Sequence, residues 1–397
     1  MIENNKLIKH KFFPIFNVFL FLFYTIFYEY IVLNYPMGTA IGNLRYYCLL
    51  IVLIISVLTY ILSKKYVKKD ILGKELLLLF IPAIVFALFS YYYANRVGRS
   101  MELRSIVQIL MFLLPGLYSF VLINNFNMKK IYFLMQCSTL ITVFFYFTEP
   151  GHTIIDFFNL DNWMSINFFK SISFTESHNF FDTFLQLFLF FNYYSYVETD
   201  INVQKKLKRF RMITGFFAFL SFKRLGVLFL IFMLVYGKIK KSNFELQKKS
   251  NVLITTILIV VLTIIYTMVL KGELFNFSYD TLFNLTSGRK WYMDCWKLKD
   301  YFSYGYGTSM FVIGRFLEMD LVEIYLELNI ICLFIFIYTF LKISYKNKYS
   351  FLIMLYVMAN MLTSSSLPWT YGWIIMFITT ASISTDIKGK ELQKAVK

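Results

Sequence analysis

Apolar residues fall in long runs, each closed by a short polar stretch. Runs close to the ~20 residues that cross a bilayer core as a helix stand at Phe12 to Tyr35, Leu44 to Leu62, Leu76 to Tyr93, Ile106 to Ile123 and Ile131 to Phe147. Others follow at Phe180 to Val197, Met212 to Phe222, Leu225 to Tyr236, Val252 to Leu270, Leu321 to Leu341, Phe351 to Thr363 and Tyr371 to Ile383. The pattern predicts an all-α polytopic membrane protein of about twelve transmembrane helices in one integral domain. Met212 to Tyr236 is split in this reading because Lys223 and Arg224 stand at its middle, where each bare charge costs ~2.5–3.5 kcal/mol. Two half-length helices meeting at a basic turn avoid that cost.

Composition agrees: 58% of the 397 residues are hydrophobic and 16% charged, a balance that a water-exposed surface of this size does not support. The first run follows Lys6, Lys9 and Lys11 as a signal peptide would, but it is too long and has no small-residue cleavage site after it, so it is expected to stay as a helix. Cys48, Cys137 and Cys332 lie in apolar runs and Cys295 in a polar segment, which indicates neither a disulfide framework nor a thiolate metal site.

Charge sets the expected orientation. Alternate connections carry Lys64 to Lys69, Lys129 and Lys130, Lys205 to Arg211, Lys238 to Lys249, Lys342 to Lys348 and the lysine-rich tail, so these and both termini are expected on the cytoplasmic side. The net charge of +17 is then mostly topology, and no nucleic-acid partner is expected. Arginine breaks the pattern, since Arg45, Arg96, Arg99, Arg104, Arg224, Arg289 and Arg315 all fall on the other side. Lysine suffices for orientation, whereas a guanidinium offers a planar fork for phosphate or carboxylate.

Two connections on that side are long, Thr148 to Asn179 and Lys271 to Asp320, beyond the length at which loops are usually functional or disordered. The first mixes Glu149, Asp156, Asp161 and Glu176 with His152, Trp163 and His178, which suits a partly buried sugar-stacking surface and suits simple loop packing equally. In the second, Trp291, Cys295 and Leu298 at helical spacing predict a short amphipathic helix on the membrane face, capped by Thr286 or Ser287 beside Arg289. Asp320, Glu323 and Glu327 then share one face at the start of an apolar run. Acids one and two turns inside such a helix imply a partner or a wet cavity.

Three pieces, Leu220-Ser221-Phe222-Lys223-Arg224-Leu225-Gly226, Ser287-Gly288-Arg289 with Trp291 and Gly305-Tyr306-Gly307, and the acidic segment Glu318 to Glu327 followed by Asn329, resemble in order and topology the bacterial O-antigen and capsular repeat-unit polymerases, and more distantly the O-antigen ligases. The likeness covers roughly residues 210 to 335. It implies transfer of a glycan from undecaprenyl pyrophosphate onto a sugar hydroxyl of a second lipid-linked repeat unit, at the outer face of the bacterial cytoplasmic membrane. Arg224 and Arg289, with Lys223 beside them, would hold the pyrophosphate. Ligases place a histidine near the start of the acidic segment, and none stands there here, so the general base passes to Glu318, Asp320 or Glu323, with His178 as a further candidate. No metal and no cofactor is implied. The bilayer, the lipid-linked oligosaccharide, a flippase and a chain-length regulator are the implied partners. A flippase of lipid-linked oligosaccharide and an envelope ligase are the competing readings, although no internal repeat of the kind transporters carry is found.

Overall fold

A computed structural model describes residues 2–35, 39–64, 74–149, 159, 162, 180–220, 223–240, 248–275, 277–286, 288–298, 303–314 and 317–395. Among them every regular element is helical. In chain order these are α1 (Ile2–Asn34), α2 (Leu44–Lys64), a 3₁₀ turn (Lys74–Leu79), α3 (Phe80–Arg96), α4 (Leu103–Asn125), α5 (Met128–Tyr146), α6 (Phe181–Val197), α7 (Ile201–Leu220) and α8 (Arg224–Lys240). They continue as α9 (Lys249–Lys271), α10 (Tyr279–Leu285), α11 (Arg289–Leu298), α12 (Thr308–Val312), α13 (Asp320–Leu328), α14 (Ile330–Ser344), α15 (Lys348–Thr363) and α16 (Thr370–Ala395).

Among the described residues five segments are long and apolar enough to cross a membrane: Ile15–Asn34, Leu44–Leu62, Lys74–Arg96, Leu103–Asn125 and Ser250–Lys271. They coincide with five of the twelve apolar runs. The other seven lie on helices that are shorter or more polar, Ile330–Ser344 and Thr370–Ser384 among the apolar ones. The outward face of α9 carries Leu253, Ile254, Ile257, Leu258, Val261, Leu262 and Ile265, all exposed. An unbroken apolar stripe of this kind is compatible with lipid as its solvent.

The chain packs as two compact units. The first comprises residues 1–76, 114–245 and 369–397, the second residues 77–113 and 246–368, and the division falls inside α4 just before Pro115. In the first unit α6 is the axis, buried from Phe181 to Ser195 except at Asp182 and packed on α5, α7, α8 and α16. Its core is aromatic, with Phe184 stacked on Phe217 at 5.0 Å and Tyr146 edge-on to Phe217 at 5.3 Å. Close approach of α8 depends on Gly226, whose Cβ would collide with the Phe181 ring, and on Gly237, whose Cβ would meet Tyr196 at 2.9 Å. α7 ends at Leu220 and α8 begins at Arg224, on either side of the expected basic turn.

In the second unit α14 is the axis, packed on α3, α9, α13 and α15. Phe86, Phe112, Phe336 and Phe340 form its aromatic centre, at ring separations of 4.3 to 6.1 Å. The run Leu321 to Leu341, expected as one crossing, is broken into α13 and α14. Asn329 sits between them with φ +100° and ψ 177°, and its side chain accepts from the amides of Ile331 and Cys332 at 2.8 and 3.2 Å. A side-chain N-cap in left-handed backbone ends one helix and starts the next. Hydropathy averaging over the run hides a single residue of this kind.

Candidate functional site

The second unit gathers buried carboxylates around α13. This helix has two faces. Val322 and Leu326, with Met319 before them, join an apolar cluster with Tyr292, Met293 and Trp296 of α11 and Leu270 of α9. Asp320, Glu323 and Glu327 turn the other way, and all three are buried. Burial without partners would cost several kcal/mol per charge, and each is met by donors from a different direction.

Asp320 Oδ2 accepts from the amides of Ser366 and Leu367 at 2.5 and 3.0 Å, and Oδ1 accepts from the Ser365 hydroxyl at 3.2 Å. Burial, with the neighbouring Glu323 charge adding, pushes its carboxyl up to about 8 against the pull of those donors. Glu327 accepts from the amides of Gly307 and Ser309, both at 2.6 Å, through separate oxygens. Those amides open α12, so Glu327 caps that helix from across the unit. Glu323 accepts from the Ser309 hydroxyl at 2.8 Å and from the Gln108 amide of α4 at 3.1 Å, both through Oε1. Its Oε2 accepts nothing from the described residues, which makes Glu323 the one acid of the three with a free oxygen.

The Gly305-Tyr306-Gly307 turn makes this geometry possible. Both glycines have positive φ, +107° and +88°. A Cβ on Gly305 would lie 2.8 Å from Ser90 Cα, and one on Gly307 would lie 2.6 Å from Gln108 Oε1. Tyr306 is threaded between α3 and α4, its amide donating to Ser90 Oγ at 3.0 Å and its carbonyl accepting from Ser105 Oγ at 2.6 Å. In front of the turn lies a pocket lined by Glu102, Arg104, Ser105, Tyr304, Tyr306, Gly307 and Thr308. Arg104 is exposed there, and the Arg99 guanidinium stacks over the Tyr304 ring at 4.6 Å. A guanidinium at such a pocket and a buried carboxylate in the same unit are group types that a transfer from an anionic leaving group uses.

The expected site residues fall as follows. Asp320 and Glu323 are together on α13, whereas Glu318 is exposed on a turn with φ +53°, apart from the buried stripe. Arg289 begins α11, donates from Nη1 to the Thr286 carbonyl at 2.9 Å, and keeps a buried Nε without an acceptor among the described residues. Lys223 and Arg224 belong to the first unit. There Lys223 pairs with Asp182 at 3.3 Å and lies over the Phe181 ring, and Arg224 is exposed. His152, Trp163 and His178 lie outside the described residues. Among the described residues no set of three carboxylate, imidazole or thiol groups is arranged to hold a metal.

The amphipathic helix forms at Arg289–Leu298. Tyr292, Met293 and Trp296 are buried, while Trp291 is 41% exposed. Thr286 does serve its first turn, accepting from Lys290 N at 3.3 Å. Gln108, Ser309 and the Ser365–Leu367 loop are the site residues that sequence reasoning missed. A glutamine inside an apolar run was the available signal for the first. Comparison with known protein families, with curated proteins and with solved structures finds no match to this chain.

Proposed function

We propose that this chain is a polytopic enzyme of the bacterial cytoplasmic membrane, with about twelve crossings and both termini cytoplasmic, that polymerises undecaprenyl-pyrophosphate-linked repeat units into capsule or O-antigen polysaccharide. The observation that carries the reading is Glu323, a buried carboxylate held through one oxygen by Gln108 and Ser309, with its other oxygen unclaimed among the described residues, in the same unit as a pocket that Arg104 lines. In the reaction an acceptor sugar hydroxyl gives its proton to Glu323 as its oxygen attacks the anomeric carbon of the donor. The bond to pyrophosphate breaks, and the departing dianion is steadied by guanidinium groups of the same unit, Arg104 at the pocket and Arg289 on the helix that shares the apolar core of α13. Asp320 and Glu327 hold loops in place and do not act on substrate.

Lipid-linked oligosaccharide transport and ligation remain the rival activities, and products in cells separate the three. Glu323→Gln in the source strain should leave single repeat units on lipid at the outer face, with polymerisation down by about 10²–10⁴-fold and membrane abundance unchanged. Units trapped inside would indicate a flippase, and long polymer left on lipid a ligase. Normal chain length in this variant would remove Glu323 as the base and the polymerase scheme with it.

A further inference from the structure

The first unit holds a second charged centre that the glycan chemistry does not use. Arg45, the second residue of α2, is 1% exposed. Its Nη2 donates to the Tyr46 hydroxyl at 2.8 Å, and the guanidinium carbon lies 4.7 Å from that ring's centre. Nε and Nη1 are buried and have no acceptor among the described residues. Arginine stays charged in proteins, so this is a buried cation with no counter-charge among the described residues. The other buried charge nearby does not supply one. Glu29 of α1 accepts from the Thr142 hydroxyl at 3.2 Å through Oε1 and makes no ion pair with Arg45.

Aromatic rings wall this end of the unit, Tyr24 against Tyr28 at 6.0 Å and Tyr28 against Tyr371 at 5.5 Å. Removing one member of a buried ion pair is strongly destabilising because the remaining charge is uncompensated, and an arginine built into this position without a partner is half of such a pair. The missing half must be an anion with several acceptor oxygens, since donors on two separate guanidinium nitrogens await it. The amino-terminal end of α2 adds positive potential at the same point. Thr39, Ala40, Ile41 and Leu44 are exposed beside it, so the centre is buried yet close to the surface.

We infer that Arg45 anchors a phosphate-binding site at the start of α2, with Tyr46 orienting the guanidinium and a phosphate oxyanion supplying the counter-charge. A lipid phosphomonoester and free phosphate present the same oxygens, and two probes distinguish them. In detergent, inorganic pyrophosphate is titrated calorimetrically into the full chain. In nanodiscs of phosphatidylcholine doped with phosphatidic acid, native mass spectrometry reads lipid retained on release. Saturable binding of pyrophosphate marks a site for free phosphate, and retention of phosphatidic acid alone marks a lipid site.

Arg45→Gln should weaken whichever binding is seen by about tenfold or more, and Arg45→Lys should weaken it less, because a point charge replaces the planar fork. Hydrogen exchange on the unmodified chain gives a reading that needs no variant: the bound probe should slow the amides of Leu44 to Cys48. Failure of both probes to bind the unmodified chain would overturn the inference. So would undiminished binding by Arg45→Gln, or protection found elsewhere and not at the start of α2.

Discussion

Glu327→Ala tests whether the acids of α13 fasten loops. Glu327 has no exposed surface, and its two oxygens take the amides of Gly307 and Ser309 at 2.6 Å each. Truncation leaves two buried N–H groups without acceptors, and each such loss costs ~1–3 kcal/mol. The sum is about 2–6 kcal/mol, less any relief from removing a buried charge. Glu327→Gln keeps one acceptor oxygen and turns an NH₂ toward the second amide, so about half that loss is expected. The assay is equilibrium unfolding of the purified chain in mixed micelles, with hydrogen exchange at Gly307 and Ser309. The expected order of stability is wild type, Gln, Ala, with both amides exchanging faster in the variants. Unchanged unfolding midpoints in both variants, with unchanged exchange at those two positions, would refute the fastening role.

Gly305→Ala should destabilise by about 2–4 kcal/mol, because its Cβ meets Ser90 backbone at 2.8 Å and its φ of +107° disfavours any side chain. Gly372→Ala, in α16 with no atom within 4 Å of the new Cβ, should stabilise by up to ~1 kcal/mol; thermal unfolding of the two side by side checks both. Asn329→Ala should cost about 2 kcal/mol by losing a cap and straining a φ of +100°. Asn329→Gly should cost less than half of that in the same unfolding assay, and equal losses would show that backbone strain there is not relieved by glycine. Ser309→Ala removes one donor to Glu323 at 2.8 Å and should lower stability by ~1 kcal/mol while shifting the pH profile of any activity that Glu323 serves.

Element existence was legible wherever apolar residues ran long. α2, α3, α4 and α9 each match a run because composition alone decides whether a segment can leave water. What was not legible depends on single residues. Asn329 breaks a run of high hydropathy through its own dihedral angles and side-chain cap, which an average over ~20 positions does not register. On α11 the helix was legible from Trp291 and Cys295, but Tyr292 and Trp296 have the same spacing, and only the packing on α13 and α9 shows that they form its buried face. Arg45 stood out in sequence only as one of seven arginines on the expected outer side, and its lack of an acceptor is a property of packing.

The acidic stripe shows why helical spacing alone overstates a site. Asp320, Glu323 and Glu327 share a face, and three carboxylates on one face suggest a joint task such as holding a cation. In the fold they serve three different directions. Asp320 binds the loop that leads from α15 toward α16, Glu327 binds the start of α12, and Glu323 meets Gln108 of α4 through its nearer oxygen. Neighbouring loops have thus taken the oxygens of the outer two, and among the described residues only the middle one keeps an oxygen that none of them claims. The glycines at 305 and 307 belong to the same arrangement, since only a turn without side chains lets the α12 amides reach Glu327 while Ser309 reaches Glu323. A motif of two glycines around a tyrosine and a stripe of acids some twenty residues later are therefore one device. Substitution in the turn should disturb Glu323 as surely as substitution on α13.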